Sequence, residues 1–547
     1  MTNSKHPTGL YFLFFAEMWE RFGYYLMIGI FVLYMTGDIA AGGLGLERAN
    51  AADIFGTFIA LVFLTPFLGG LLADRKLGYR TSITIGGIMM GIGYCMLAIK
   101  GELFFFMALI LIILGNGFFK PNISTLLGNL YTGEQYVDKK DAGYNIFYMG
   151  INIGAFICNF FAAYLRHNFG WGYAFIAAGV GMFIGVIIFW TGMKHYKHAD
   201  VLKPVQPEDQ TLTRIFGTTI LPAIVAGCIG WAIPGNLLGS DATDAFIFGA
   251  LPVAYFYISL YFKASENDKR PIGAMLSIFA VVIIFWAVFK QNGTALTTWA
   301  ELYTDRSMPE MVEGPAEKLR MTQQLSGKSD SVFVTDSQFR KVKDADGKSM
   351  KEVAKNIYFK NETPSKIPSE TVSANLVSTE LFQSVNPFFV VILTPLVVLF
   401  FSFLRGRRKE PSTPAKIGWG LVVSALSTLV MVGAVFACGN GEIKCPPWWL
   451  ISSYGVITIG ELFLSPMGLS LVSKLSPPRI TALMMGGWFL STSIGNKLSG
   501  ILATMWDNYD NKALYFVVNF ILLIVAAAAI FMMLKWLRQI FAEHTAK

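Results

Sequence analysis

The sequence predicts an all-α polytopic membrane protein with fourteen transmembrane helices. Of its 547 residues, 54% are hydrophobic and only 15% are charged. The apolar residues occur in runs of about 20, the length of a helix that crosses a bilayer. The net charge of +8 does not indicate a nucleic-acid partner, because the lysines and arginines collect in alternate loops, as they do in the cytoplasmic loops of membrane proteins.

The apolar runs predict six spans, then two, then six more. The expected spans are 10–36, 52–73, 80–99, 103–127, 143–165, 171–193, 215–238, 244–262, 271–301, 381–404, 414–437, 447–473, 481–504 and 512–538. They divide the chain into a six-helix bundle (1–200), a linker with two extra helices (201–268), the first helix of a second bundle (269–301), an insert (302–378), and five remaining helices with a tail (379–547).

The charged loops set the expected orientation. All the strongly basic loops lie on one side only if both termini are also there, so we expect cytoplasmic termini and an extracytoplasmic insert 302–378. Within the insert, Ser331–Thr335 and Phe339–Lys343 have strand character and Asp344–Gly347 is typical of a turn. A small folded unit and a flexible loop both fit this pattern. Cys438 and Cys445 share an outer loop, where a disulfide and two free thiols are equally open.

The first span carries a polar stripe. Glu17, Glu20, Arg21 and Tyr24 fall at i, i+3, i+4 and i+7, so they share one helix face. Ionisable side chains at membrane depth are costly and normally face a bundle interior or an aqueous cavity. The stripe therefore predicts a proton relay or a substrate site; the alternative is a buried ion-pair cluster that only ties helices together.

The loop between spans two and three has the character of a gate. Gly69 and Gly70 allow helices to approach closely, and Asp74 can pair with Arg75 or Arg80 at the membrane surface.

Two later spans combine a charge with a proline. Lys120 lies within the fourth span and is followed by Pro121, which bends a helix and can turn the lysine toward a cavity; snorkelling to the interface is the alternative. Glu461 lies within a span of the second half, with Ser465 one turn later and Pro466 expected to break the helix.

Five further polar or amphipathic residues lie within spans, although amides there often join helices and tryptophans often anchor at interfaces. They are Asn152, Trp286, Lys290, Asn386 and Trp488. The sequence has no HExxH, CxxC or GxSxG motif and no paired metal ligands, so we expect neither an enzyme nor a cofactor.

Four of these stretches resemble the proton-dependent oligopeptide transporters of the major facilitator superfamily. They are ExxERFxYY from Glu17 to Tyr25, the GGxxAD loop from Gly69, GxGxxKP ending at Pro121, and GELxxSPxGLS from Gly460. The resemblance covers nearly the whole chain except 302–378. It implies two six-helix bundles with two extra helices between them.

The resemblance also implies roles for individual residues. Glu17, Glu20 and Arg21 would couple proton binding to gating, with Lys120 as their partner across the cavity. Lys120 would also hold the peptide carboxylate and Glu461 would attract the amino group. The rest of the pocket would consist of Tyr25, Asn152, Trp286, Asn386, Ser465 and Trp488.

Three positions depart from the family pattern. The chain has Ile28 where an arginine is usual, Lys290 where a glutamate is usual, and Phe63 where a tyrosine is common. Because Ile28 cannot balance a lysine, Lys290 is neutral through desolvation, snorkels outward, or faces another acid across the cavity. We favour the cavity, where Lys290 would supply positive charge beside Lys120 for the substrate carboxylate.

The function expected is import of di- or tripeptides, driven by protons, in a multi-pass protein of the cell (inner) membrane. The partners would be a small peptide, protons and the lipid bilayer. One alternative is a relative that moves another small anionic or peptide-like solute such as nitrate. Another is a receptor that acts through the insert. Since 302–378 contributes no candidate site residue, we expect transport to survive its removal.

Overall fold

A computed structural model describes residues 6–545 except 132–139, 202–210, 236, 309–313, 315–316, 318–321, 346–347 and 477–480. Its fourteen long helices match the expected spans in number and order. They are α1 (Gly9–Thr36), α2 (Arg48–Leu72), α3 (Tyr79–Met96), α4 (Glu102–Leu130), α5 (Lys140–Phe169), α6 (Trp171–Gly192), α7 (Leu221–Ala232), α8 (Asp241–Lys263), α9 (Glu266–Phe289), α10 (Val385–Gly406), α11 (Thr413–Ala437), α12 (Pro447–Leu475), α13 (Thr481–Thr504) and α14 (Lys512–Thr545).

Within the described residues, ten of these helices are long and apolar enough to cross a membrane, when α7 is counted with the helical turns that precede it (Thr213–Ala232). The other four pack along them: α1 on α5 and α6, α3 on α4 and α6, α12 on α11, and α13 on α2 and α9. The prediction of an all-α polytopic membrane fold is confirmed.

The helices form two bundles with separate apolar cores. One core joins α1–α6, and the other joins α9 and α11–α14, with α10 packed on α12. Helices α7 and α8 pack mainly on each other, and they expose large apolar side chains such as Tyr255 and Phe262. A helix pair that is apolar all round suits a lipid surface.

The ninth span is broken, although the sequence predicted one continuous helix over 271–301. Helix α9 ends at Phe289, a short 3-10 turn covers Lys290–Gly293, and a second helix follows at Ala295–Leu302. Thr294 has non-helical backbone angles (φ −130°, ψ −91°), and Gly293 lies against the ring of Phe55 on α2. The break places Lys290 at a helix terminus.

Neither proline interrupts its helix. Helix α4 continues through Pro121 and α12 is helical across residue 466, so the break predicted at Pro466 is wrong. A proline removes only one intrahelical hydrogen bond, and packed neighbours inside a membrane bundle maintain the helix around it.

The insert is folded. Strand β1 (Thr322–Ser326) pairs antiparallel with β4 (Ser373–Val377), and β2 (Asp330–Phe333) pairs antiparallel with β3 (Lys351–Ala354). The strand predicted at Ser331–Thr335 is therefore largely present, whereas the one at 339–343 forms only isolated bridges. The predicted turn extends outside the described residues. Strand β3, which pairs with β2, was not predicted, because residues 351–354 show no clear alternation of apolar and polar side chains.

One segment of the insert contacts both bundles. Phe339 is 2% exposed and belongs to an apolar cluster at the end of the second bundle. Arg340 Nη2 lies 2.8 Å from Asp510, between α13 and α14. Lys343 Nζ lies 2.8 Å from Glu47, just before α2. The insert therefore joins the two bundles at one end of the molecule, which we call the insert end.

The outer-loop cysteines form a disulfide, Cys438–Cys445. Both cysteines are buried. The Cys445 amide donates to Tyr303 and its carbonyl accepts from Asp305, each at 2.7 Å. The disulfide loop is thus paired with the start of the insert.

Candidate functional site

The polar stripe of α1 forms a compact buried cluster. Glu17, Glu20 and Arg21 are 2%, 0% and 3% exposed. The Arg21 guanidinium donates to both carboxylate oxygens of Glu20, and its Nε lies 3.4 Å from Glu17. Asn116 on α4 donates to Glu20 at 3.4 Å. The Arg21 guanidinium thus interacts with two carboxylates, so this cluster has a net negative charge when both carboxylates are ionised.

The second Glu17 oxygen is an available acceptor. Glu17 Oε2 is buried and has no hydrogen-bond partner among the described residues. A buried acceptor without a donor is costly, and protonation of that oxygen would lower the cost. The geometry therefore fits a group that takes up and releases a proton.

Lys120 and Lys290 approach one aromatic ring from different bundles. The Lys120 Nζ atom lies 4.1 Å from the centroid of Phe63 on α2, and the Lys290 Nζ atom lies 5.5 Å from it. Lys290 also lies near the rings of Trp286 and Phe289, at 5.7 and 5.6 Å. Lys290 is thus directed toward the first bundle and not outward along the helix.

Glu461 lies in the second bundle within electrostatic range of Lys290. Asn386 on α10 donates to Glu461 Oε2 at 3.1 Å and to Thr458 at 2.9 Å. In the same bundle, the buried Trp286 Nε1 and Ser465 Oγ atoms have no hydrogen-bond partner among the described residues. The bundle thus combines an oriented carboxylate with unused polar atoms that a ligand can bind.

Three predicted pocket residues occupy different surroundings. The Tyr25 ring lies 6.0 Å from the Arg21 guanidinium, beside the α1 cluster. The Asn152 amide donates to the Tyr148 carbonyl of its own helix at 2.9 Å. Trp488 is 4% exposed and packs edge-to-face on Phe279 in the core of the second bundle. Their roles in binding stay predictions.

The glycines of the predicted gate lie at the contact of α2 and α4. Gly69 abuts the carbonyl of Gly117, leaving no room for a Cβ atom, and Gly70 faces Pro121. Pro121 lacks the N–H that would otherwise bond the Gly117 carbonyl four residues earlier. The side-chain-free Gly69 lets α2 approach that carbonyl, which explains why Gly69 and Pro121 occur together.

Among the charged residues of that loop, Arg80 has a partner on another element. Arg80 Nε lies 2.7 Å from Asp200, which follows α6, and Asp200 also accepts from the Tyr79 amide at 2.7 Å. The Asp74 side chain lies outside the described residues. Arg75 lies in a π-helical turn, 73–77, after α2.

Sequence reasoning missed two ion pairs between the bundles. Near the insert end, Lys497 on α13 pairs with Asp53 on α2. Arg166 near the end of α5 lies 2.9 Å from Glu380, just before α10. What the sequence offers is a charged residue close to one end of each span that carries these ion pairs. The partners are 444 and 214 residues apart, so no local pattern links them.

Asp53 also holds the extra helices. It accepts hydrogen bonds from Ser240 and Thr243 at the start of α8, at 2.7 and 2.9 Å. The same carboxylate therefore connects α2, α8 and α13.

Two helical bundles that share a charged site within the membrane, and are held together at one end by separable ion pairs, define a solute transporter of the alternating-access class. The family model for the POT family matches residues 80–321 and 366–520. The chain belongs to the POT family, whose members are transporters and not enzymes.

Individual relatives match over almost the whole length. An uncharacterized transporter of Bacillus subtilis is 30% identical, with 93% of this chain and 90% of the relative covered. A di-/tripeptide transporter of Lactococcus lactis subsp. cremoris is also 30% identical, with 90% and 88% covered. A crystal structure of a peptide transporter POT in complex with sulfate is 27% identical, with a TM-score of 0.75 over 99% of this chain and 97% of that one.

Proposed function

We propose that this chain imports di- and tripeptides together with protons. The observation that carries the proposal is the placement of two cations, Lys120 and Lys290, and one oriented carboxylate, Glu461, around the meeting point of the bundles. A short peptide is a zwitterion, so its two ends need opposite charges. The printed names of the relatives agree, since several are di-/tripeptide transporters.

In this proposal the peptide carboxylate binds Lys120 and Lys290, and the amino group binds Glu461. Trp286 Nε1 and Ser465 Oγ offer polar atoms that are not used within the described protein. Tyr25, Asn152, Asn386 and Trp488 complete or support the pocket.

The α1 cluster supplies the proton coupling. Arg21 pairs with Glu20 and Glu17, so a proton on either carboxylate releases part of the arginine's charge and changes the field at Lys120. A single site of this kind needs no cofactor, because the proton gradient drives the cycle.

Alternating access rocks the bundle 1–200 against the bundle formed by 269–301 and 379–547. The pairs Asp53–Lys497 and Arg166–Glu380 close the insert end. With cytoplasmic termini, that end faces the outside of the cell. The arrangement in which both pairs are formed is then closed to the outside.

Uptake into proteoliposomes tests the proposal. Labelled Ala-Ala should accumulate under an inward proton gradient, and unlabelled Ala-Ala should compete. N-acetyl-Ala-Ala is the matched control, because it keeps the carboxylate and loses the positive charge that Glu461 binds. Leaving a buried carboxylate unpaired costs roughly 2–5 kcal/mol, so the acetylated peptide should compete more than tenfold less well. Absence of gradient-driven uptake would reject the proposal; equal competition would remove Glu461 from it.

A further inference from the structure

The lysines around Phe63 have no bonded acceptor. Within the part of the chain that the structure describes, neither the Lys120 Nζ nor the Lys290 Nζ atom makes a hydrogen bond or an ion pair; their close contacts are with aromatic rings. An aromatic face attracts a cation but leaves its N–H donors unused. Two ammonium groups, with up to six N–H donors between them, therefore lie around one ring and are available to a ligand.

The acids of the site are already engaged. Glu20 takes two hydrogen bonds from Arg21, Glu17 lies 3.4 Å from the same guanidinium, and Glu461 is held by Asn386 at 3.1 Å. None of them lies within ion-pair distance of either lysine. The positive and negative parts of the site are thus separate, and the lysine side has charge to offer a ligand.

The two ammonium groups also act on each other. They come from α4 and from the end of α9, in different bundles, and lie within electrostatic range of one another. Like charges in a poorly solvated site repel, and an anion placed between them removes the repulsion. One carboxylate shared by the two lysines supplies one negative charge against two positive charges, whereas two anionic groups balance both. The nearby Trp286 Nε1, which is buried and has no partner among the described residues, adds a further donor and no acceptor.

We propose that this pocket, defined by Lys120, Phe63, Lys290 and Trp286, selects peptides with a second negative charge, namely an Asp or Glu side chain at the C-terminal residue. The proposal rests on peptide transport as the function and specifies its substrate class. Phe63 is a positioning residue, because its ring holds both cations without accepting a hydrogen bond from either.

The test compares an acidic peptide with its neutral isostere. Ala-Glu and Ala-Gln compete with labelled Ala-Ala for uptake by the full-length protein in proteoliposomes under an inward proton gradient. The two competitors differ by one charge and have nearly the same shape. We expect Ala-Glu to compete about tenfold more strongly than Ala-Gln, and the ratio to fall to about one in Lys290→Gln.

Two further variants complete the design. Lys290→Arg keeps the charge and should keep the ratio, so the charge is tested even if Lys290→Gln does not fold. Lys269→Gln is the matched control: Lys269 also lies over a ring, 5.7 Å from the centroid of Tyr261, but near the start of α9 and away from the site. It should leave uptake and the ratio unchanged.

Distinct failures have distinct meanings. A ratio near one in the wild type, with normal uptake of Ala-Ala, overturns the acidic-peptide inference and leaves the proposed function intact. If the ratio of competition by Ala-Glu over Ala-Gln stays high in Lys290→Gln, Lys290 does not select acidic peptides and the proposed pocket is overturned. No uptake or competition by any peptide rejects the proposed function itself.

Discussion

Removing Arg166 should open the insert end of the transporter. Its guanidinium lies 2.9 Å from Glu380, and the two side chains are 12% and 0% exposed. Because α5 and α10 belong to different bundles, this pair forms only when the bundles meet at that end. In Arg166→Ala the Glu380 carboxylate stays buried, with His167 Nε2 at 3.6 Å and the Arg306 guanidinium within electrostatic range.

The size of the effect follows from burial. Breaking a buried ion pair by removing one partner costs roughly 3–5 kcal/mol. This cost applies to the closed arrangement, in which the two bundles are in contact at the insert end. In the open arrangement the bundles are separated there, and water solvates Glu380. Since about 1.4 kcal/mol is a factor of ten, the equilibrium should shift toward the open arrangement by roughly 10²- to 4 × 10³-fold. Arg306 lies within electrostatic range of Glu380 and compensates in part, so we expect the lower end of this range.

Labelling of an introduced cysteine measures the shift. Ser384 is 3% exposed and accepts a hydrogen bond from Asn159 across the same contact between bundles. Ser384→Cys, in a background where the three free cysteines are serine, should react with an impermeant maleimide from outside about 100-fold faster once Arg166→Ala is added.

A matched control uses an exposed pair. Arg405 is 71% exposed and bonds Glu410 at the opposite end, so Arg405→Ala should not alter the labelling rate. If Arg166→Ala labels no faster than this control, the pair does not hold the bundles together and the reasoning is wrong.

Three further predictions follow. Glu20→Gln should abolish uptake driven by a proton gradient but spare counterflow exchange of peptide; loss of both in a folded protein would indicate a structural ion pair. Lys343→Ala breaks a half-exposed pair with Glu47, worth about 1 kcal/mol or less, so it should speed the same cysteine labelling less than about fivefold; a larger change would make the insert the main lock. Burial, reinforced by Arg306, lowers the pKa of Lys444 from 10.5 to about 7, so the unfolded chain binds the extra proton and stability should rise between pH 7 and 10.5. Lys444→Met should flatten the rise in melting temperature over that range, and an unchanged slope would exclude Lys444 as its source.

The helices were predictable because each span is a local property. An apolar run long enough to cross a bilayer has few alternatives once water is absent, since its backbone polar groups must bond within the helix. The charges of α1 share a face for the same local reason, the 3.6-residue period. Lys120 and Glu461 could likewise be selected as charges at membrane depth.

The rest depended on distant partners. Lys497 pairs with Asp53, and Arg166 with Glu380, because of how the two bundles pack together. A local sequence pattern does not specify that packing. Local rules also fail where packing overrides them: the helix across residue 466 continues because its neighbours support it. In the insert, alternation identified one strand, but its partner at 351–354 is set by the path of the loop.

The insert also changes one expectation. It contributes no residue to the candidate site, which predicted that transport would survive its removal. Yet Phe339 and Arg340 are fixed to the second bundle while Lys343 reaches the first. Its removal would therefore break a contact between the two bundles, which move relative to each other during transport. We now expect the deletion to change the rate of transport instead of leaving it unchanged.

The Cys438–Cys445 bond links the direction of membrane insertion to redox chemistry. Disulfides persist in oxidising compartments and are reduced in the cytosol. The loop that this bond closes lies beside the start of the insert, so the bond endures only if that end leaves the cytosol during biogenesis. Cys95, Cys158 and Cys228 are free, and the chain has five cysteines in all. Titration of the denatured, unreduced protein should then find three thiols in a chain inserted as proposed and five in an inverted one, so that a count of sulfhydryl groups reports topology without any added tag.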